Sequence, residues 1–200
     1  MQTLLRIDAS IRKTGSYSRA TGDYFQAQWT LKHPTGKIIY RDLADSAIPH
    51  VHHQLTNAFF DTQQASLEIL SLSNLLLDEL KQCNTLLITS ALYNFSLPSS
   101  LKSWFDHIVR VNQTFCYSED GRYTGLLQDK EAVIITSKGS VYKGTGLEHL
   151  DFQDPYLKAI LYFMGIKTIA SFSVEGTKNP DFLKESLPGV EAEIFNFLHN

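Results

Sequence analysis

Short apolar runs alternate with longer amphipathic stretches from one end of the chain to the other. The run TLLRI (3–7) predicts a first strand, followed by a polar loop that carries Ser10, Ser16 and Ser18. From Ser18 to about Leu31 the pattern turns helical, with Tyr24, Phe25, Gln28 and Trp29 spaced i, i+1, i+4, i+5. GKIIYRDL (36–43) predicts strand two. The segment from Asp45 to Asp61, with Pro49 and the cluster His50, His52 and His53, reads as an irregular surface connection. DTQQASLEILSLSNLLLDELKQC (61–83) then predicts a long helix with leucines on one stripe and candidate breaks at Ser71 or Ser73.

The second half repeats the alternation. NTLLITS (84–90) predicts strand three, and the loop ALYNFSLP (91–98) leads into a helix over SSLKSWFDHIVRV (99–111). Ser99 or Ser100 is the expected cap, and Leu101, Trp104, Phe105 and Ile108 share one side. QTFCYSEDGRYTG (113–125) places a D-G turn between aromatic runs and predicts a small hairpin. EAVIITSKGS (131–140) is strand four and its loop; a helix around Tyr156–Phe163, strand five at IKTIASFSV (166–174) and a last helix from Pro180 to Leu198 complete the chain. Strands three and four are near-continuous apolar runs, as a parallel sheet covered on both faces requires. The expected fold is α/β: one flavodoxin-like domain over residues 1–200, a doubly wound sheet of five parallel strands with helices on both faces. Such sheets take ligands beyond the carboxyl ends of their strands, so the loops after strands one, three and four matter most.

Composition narrows the partners. A hydrophobic content of 43% supports a buried core, and a net charge of −3 without any block of like charge speaks against nucleic-acid or membrane-surface binding. Cys83 and Cys116 fit neither a C-x-x-C pair nor a zinc spacing and read as reduced thiols in or near the core. Met1 leads straight into the first strand and no apolar run approaches membrane-spanning length, so the expected setting is cytoplasmic. No metal is expected: the three clustered histidines lack a further ligand at metal spacing and read as a solvated loop. Asp106 and Arg110, at i and i+4, are expected to pair on a helix surface.

Three hydroxyls in one strand-to-helix loop point to an anion. A helix N-terminus offers unpaired N–H groups and the positive end of the macrodipole, and Ser10, Ser16 and Ser18 add donors without charge. One such serine alone would be an ordinary cap. No G-x-G-x-x-G follows strand one, no G-K-[ST] occurs, and Gly144 with Gly146 lacks the third glycine. The aromatic, amide-bearing loop around Tyr93–Phe95 suits a planar heterocycle, although its spacing alone favours a packed surface loop with Tyr93 and Phe95 closing the core. The small residues of ITSKGS (135–140) let backbone approach a flat edge.

The serine spacing, LYNFSLPSSLKSWFD (92–106) and ITSKGS together resemble the FMN-dependent NADH-azoreductases, close to the NAD(P)H:quinone oxidoreductases of flavodoxin-like fold. The resemblance runs from strand one to PYLKAILYFMGI (155–166), and the YNF…LK…FD element is its specific part. It implies that Ser10, Ser16, Tyr17 and Ser18 hold the phosphate of FMN. Leu92, Tyr93, Asn94 and Phe95 would lie along the isoalloxazine and ribityl, and Ser137, Lys138, Gly139 and Ser140 at the far edge of the ring. Tyr117 and Phe163 match aromatic positions near the flavin face, Phe163 across a homodimer interface. The family loops commonly read M-Y-N-F and S-R-G-G, against Leu92, Lys138 and Ser140 here; these departures keep the backbone contacts and bear on substrate range and cofactor preference.

The activity implied is a two-electron ping-pong oxidoreductase. NADH or NADPH passes hydride to the flavin and leaves, and a quinone or azo compound takes its place, with all chemistry on the flavin and no catalytic side chain. His107 and His149 are candidate proton donors, solvent being an equal alternative. Two other functions compete: a flavodoxin-type electron carrier, whose usual strong acidity is missing here, and a non-enzymatic partner-binding protein that kept the fold.

Overall fold

A computed structural model describes residues 1–45, 48–60 and 67–200. In chain order the elements are β1 (Thr3–Asp8), α1 (Tyr17–Lys32), β2 (Lys37–Asp42), α2 (His53–Phe60), α3 (Leu67–Gln82), β3 (Thr85–Ala91) and α4 (Ser99–Ile108). They continue with β4 (Phe115–Tyr117), β5 (Tyr123–Gly125), β6 (Glu131–Ser137), α5 (Gln153–Phe163), β7 (Thr168–Val174) and α6 (Pro180–His199). Five strands form one parallel sheet in the order β2-β1-β3-β6-β7, and β4 and β5 form a separate antiparallel hairpin. The expected doubly wound flavodoxin-like sheet is therefore present, with all carboxyl ends at one edge.

Period-two alternation divides the core. Leu5, Ile7, Leu86, Ile88 and Ile134 face α3, α4 and α5, meeting Leu76, Leu80, Trp104, Phe105, Leu157 and Leu161. Leu4, Leu87, Val133 and Ile135 face α1 and α6, meeting Phe25, Trp29, Ile194 and Leu198. Each fully buried Leu, Ile or Phe contributes roughly 1.5–3 kcal/mol by leaving water, so the sheet is clamped from both sides.

Several local expectations change. The histidine segment is not wholly irregular: His53 begins helix α2, whose Leu55 and Ala58 are buried against Leu70. Residues 61–66 of the expected long helix lie outside the described ones, and α3 runs through Ser71 and Ser73 without a break. Ser73 stays helical because its hydroxyl donates to His107 O at 2.6 Å, satisfying it inside the core. Helix α4 begins at Ser99, with Pro98 as its cap and no side-chain capping bond, so neither Ser99 nor Ser100 is the cap. Arg110 does not pair with Asp106. It is buried, donates to Ser73 Oγ and Asn74 Oδ1 and lies 4.7 Å from the Phe59 ring centre, while Asp106 pairs with Lys102.

Candidate functional site at the carboxyl edge

Three loops meet where the strands end. The first is the serine loop. Ser16 is the N-cap of α1, its Oγ accepting from Arg19 N, and it lies 3.3 Å from Ser18 Oγ. Ser10 and Ser18 are sealed from solvent, and α1 has no acidic residue in its first turn. Among the described residues, no acceptor faces the N–H of Tyr17 or Ser18. Two open amides and two converging hydroxyls at the positive end of a helix have the chemistry that suits an anion.

The second loop is strained. Tyr93 and Ser96 exchange backbone hydrogen bonds, each 3.0 Å, around a two-residue turn whose Asn94 and Phe95 have φ of 48° and 67°. Positive φ at both central residues is the I′ geometry, easy for Asn and costing a bulky aromatic about 1–2 kcal/mol. The turn is held from outside: Phe152 N–H donates to Phe95 O at 3.0 Å, and Gln153 Nε2, fully buried, donates to Ser90 Oγ and Ala91 O at 2.9 Å. The strain leaves Phe95 47% exposed and the N–H groups of Asn94 and Phe95 without an acceptor among the described residues. A cavity of about 710 Å³ opens beside it, lined by Ile11 of the serine loop, Tyr93, Asn94, Lys102 and Tyr156.

The third loop, 137–140, is joined to the second by Leu92 N–H donating to Ser137 O at 2.9 Å. Its carbonyls are occupied: Lys138 O, Gly139 O and Ser140 O accept from Thr177 N, Lys178 N and Gly176 N. The Lys138 side chain is 5% exposed and bound to Asp151 at 2.6 Å and Glu175 at 3.0 Å. Burial alone would lower the Lys138 pKa, but its two carboxylate partners outweigh burial and raise it. Burial would likewise raise Glu175, yet the Tyr142 and Lys143 amides and Lys138 hold it below the usual carboxylate value. Lys138 thus ties its loop to the start of α5 and the end of β7.

The two remaining candidates lie elsewhere. Tyr117 and Phe163 come together through Phe115, whose ring centre is 5.6 Å from Tyr117 and 4.7 Å from Phe163. This cluster sits at the amino edge of the sheet: Phe163 ends α5 just before β7 begins, and Leu127 N–H donates to Met164 O ahead of β6. Within one chain these aromatics do not meet the serine loop. His107 is buried with its Nε2 on Pro49 O, and burial lowers its pKa. Among the described residues no group of three His, Cys, Asp or Glu side chains can hold a metal, and no helix is long and apolar enough to cross a membrane.

Comparison with known proteins shows the family and the fold. A family model described as flavodoxin-like fold matches residues 2–197. The FMN-dependent NADH:quinone oxidoreductase of Acidobacterium capsulatum is 43% identical over 194 residues, covering 93% of both chains. FMN-dependent NADH:quinone oxidoreductase 3 of Pseudomonas aeruginosa is 38% identical over 192 residues, 94% of this chain and 88% of that protein. The chain belongs to the FMN-dependent NADH:quinone oxidoreductases. A FMN-dependent NADH-azoreductase from Bacillus anthracis, solved in complex with FMN, superimposes with a TM-score of 0.86 over 100% of both chains; at 24% identity it shows the fold.

For an oxidoreductase of this family, pattern reading missed the residues behind the loops: Arg19, Gln153, Asp151 and Glu175. Each is distant in sequence from what it holds, and only Arg19 carried a local signal, a cation following directly on the serine pattern.

Proposed function

We propose that this chain binds FMN at the carboxyl edge and works as a two-electron NADH oxidoreductase whose acceptors are quinones and azo compounds. The open amides of Tyr17 and Ser18 beside the Ser16 and Ser18 hydroxyls carry the reading, because they suit a dianion and no acidic side chain of α1's first turn opposes it. Ser10, Ser16, Tyr17 and Ser18 would hold the phosphate. Leu92, Tyr93, Asn94 and Phe95 would run beside the ring system, with the Asn94 and Phe95 N–H groups as its donors, and Ser137, Lys138, Gly139 and Ser140 would border its far edge through backbone. When bound, FMN would supply the two-electron redox chemistry between the nicotinamide and the acceptor. The chain's own part is to orient the ring, exclude water and donate hydrogen bonds toward it. Lys138 serves by fixing its loop, since its ammonium already serves Asp151 and Glu175.

The working unit in this reading is a homodimer. Tyr117 is 60% exposed, Phe163 half-buried and Tyr162 exposed, all at the amino edge, so a second chain is what would carry such rings over a flavin. A cytoplasmic setting fits the unpaired thiols of Cys83 and Cys116.

Release of the chromophore from the protein as purified should give FMN and no FAD. Initial rates with NADH and a quinone should give parallel double-reciprocal lines; intersecting lines, or no turnover with FMN bound, contradict the ping-pong oxidoreductase.

A further inference from the structure

Beneath the serine loop, the side of the sheet that faces α1 changes character along the strands. Its amino half is apolar, with Leu4, Ile38 and Leu87. Its carboxyl half carries Arg6, Asp8, Tyr40, Asp42 and Thr89, on the same face by alternation. The parallel register sets Asp8 directly beside Asp42, with side-chain exposures of 1% and 11%. Two nearly sealed carboxylates in neighbouring strands repel each other and oppose any anion held above them.

Arg19, at the start of α1, lies between them. Its Nη1 and Nη2 are 2.7 and 2.6 Å from the two Asp42 oxygens, and Nη1 is 3.3 Å from Asp8 Oδ2. Arg6 donates to both Asp8 oxygens at 2.9 Å, and Tyr40 OH and Thr89 Oγ1 donate to Asp8 at 2.9 and 2.7 Å. Two guanidinium groups thus balance two buried carboxylates. The same Arg19 fork reaches the loop: Nη2 and Nε donate to Ser10 O at 2.6 and 3.2 Å. Helix α1 lies this close because residue 22 is glycine; a Cβ there would come within 2.5 Å of Thr89 Cγ2.

We propose that Arg19 is the positioning residue of the phosphate subsite, acting through the Ser10 carbonyl that it clamps and by cancelling the carboxylate charge beneath the loop. This rests on the FMN reading above. Arg19 is buried and faces the sheet and the loop backbone, so it shapes the subsite from behind. A lysine would keep the charge and lose the fork that serves Asp42 and Ser10 together.

Comparing FMN with riboflavin isolates the effect, since the two share the ring and ribityl and differ by the phosphate. Dissociation constants for both are measured on the apo-protein of the wild type, Arg19→Lys and Arg19→Met, with thermal melting to confirm folding. FMN affinity should fall by at least about tenfold in R19K and further in R19M, while riboflavin affinity changes by less than about twofold. An unchanged FMN-to-riboflavin ratio, or equal losses for both ligands, overturns the proposal. If R19M fails to fold, R19K decides alone. Adding Asp42→Asn to R19M removes a carboxylate without restoring the fork, so partial recovery of the ratio is expected; full recovery overturns the clamp, and no recovery overturns the charge argument. A wild type that binds FMN no better than riboflavin defeats the phosphate site itself, and the proposal with it.

Discussion

At the carboxyl edge of the sheet, backbone donors are left open, a turn is held at positive φ, and ion groups are buried behind the loops. At the amino edge, around the hairpin, aromatic rings stack on one another: Tyr123 and Phe115 both lie 4.7 Å from Phe163, ring centre to ring centre. The hairpin there docks backbone to backbone, since a Cβ on Gly125 would meet Gly165 N at 2.2 Å. A small charged ligand needs preformed donors and fixed loops, whereas a protein surface offers apolar area. In the proposed function the same sheet would serve two tasks by giving its two edges different chemistry.

The buried triad should be the most sensitive point of the carboxyl edge. Lys138→Met leaves Asp151 and Glu175 facing each other without their cation, and urea unfolding should show a loss of ~3–5 kcal/mol. A loss below about 1 kcal/mol would mean that Lys138 is not what holds loop 137–140. The lowered Glu175 makes its share of stability present above the ordinary carboxylate pKa and lost as pH falls through the folded value. The raised Lys138 makes its share present below the ordinary lysine pKa and lost as pH rises through the folded value, so the shares of Glu175 and Lys138 should both be fully present between those limits.

At the amino edge, Gly125→Ala should cost ~1–3 kcal/mol, because backbone cannot yield as a side chain does. Phe163→Ala should leave FMN bound but change turnover and acceptor preference, and sedimentation of the wild type should give twice the 22.6 kDa chain mass. A fully active monomer would remove the amino edge from the function. The smallest effect is back at the carboxyl edge, on the surface of α4: removing the half-exposed Lys102–Asp106 pair should cost only ~0.3–0.5 kcal/mol, and a larger change would show that α4's surface charge matters to the adjoining cavity.

Much of this was legible in the chain itself. Alternation and apolar runs were enough for the sheet and its helices, because burial on two faces leaves a periodic trace, and the D-G turn at Asp120–Gly121 marked the hairpin. The serine loop was legible because its hydroxyls are neighbours in sequence. What was not legible depends on register and distance: Asp8 beside Asp42, Arg110 turned inward to Ser73, and Lys138 drawn to Asp151 and Glu175. Helix α2 was hidden by Pro49 and three histidines, since its two buried anchors make too short a stripe to read.

The most direct test is an FMN titration of the apo-protein, followed by flavin fluorescence, on the wild type and on Ser16→Ala with Ser18→Ala. Saturation at one FMN per chain, with binding weakened by ~1–3 kcal/mol in the double variant, is the expected result. A wild type that binds no FMN, or a double variant that binds it as tightly as the wild type, would contradict the assignment of the phosphate to the serine loop.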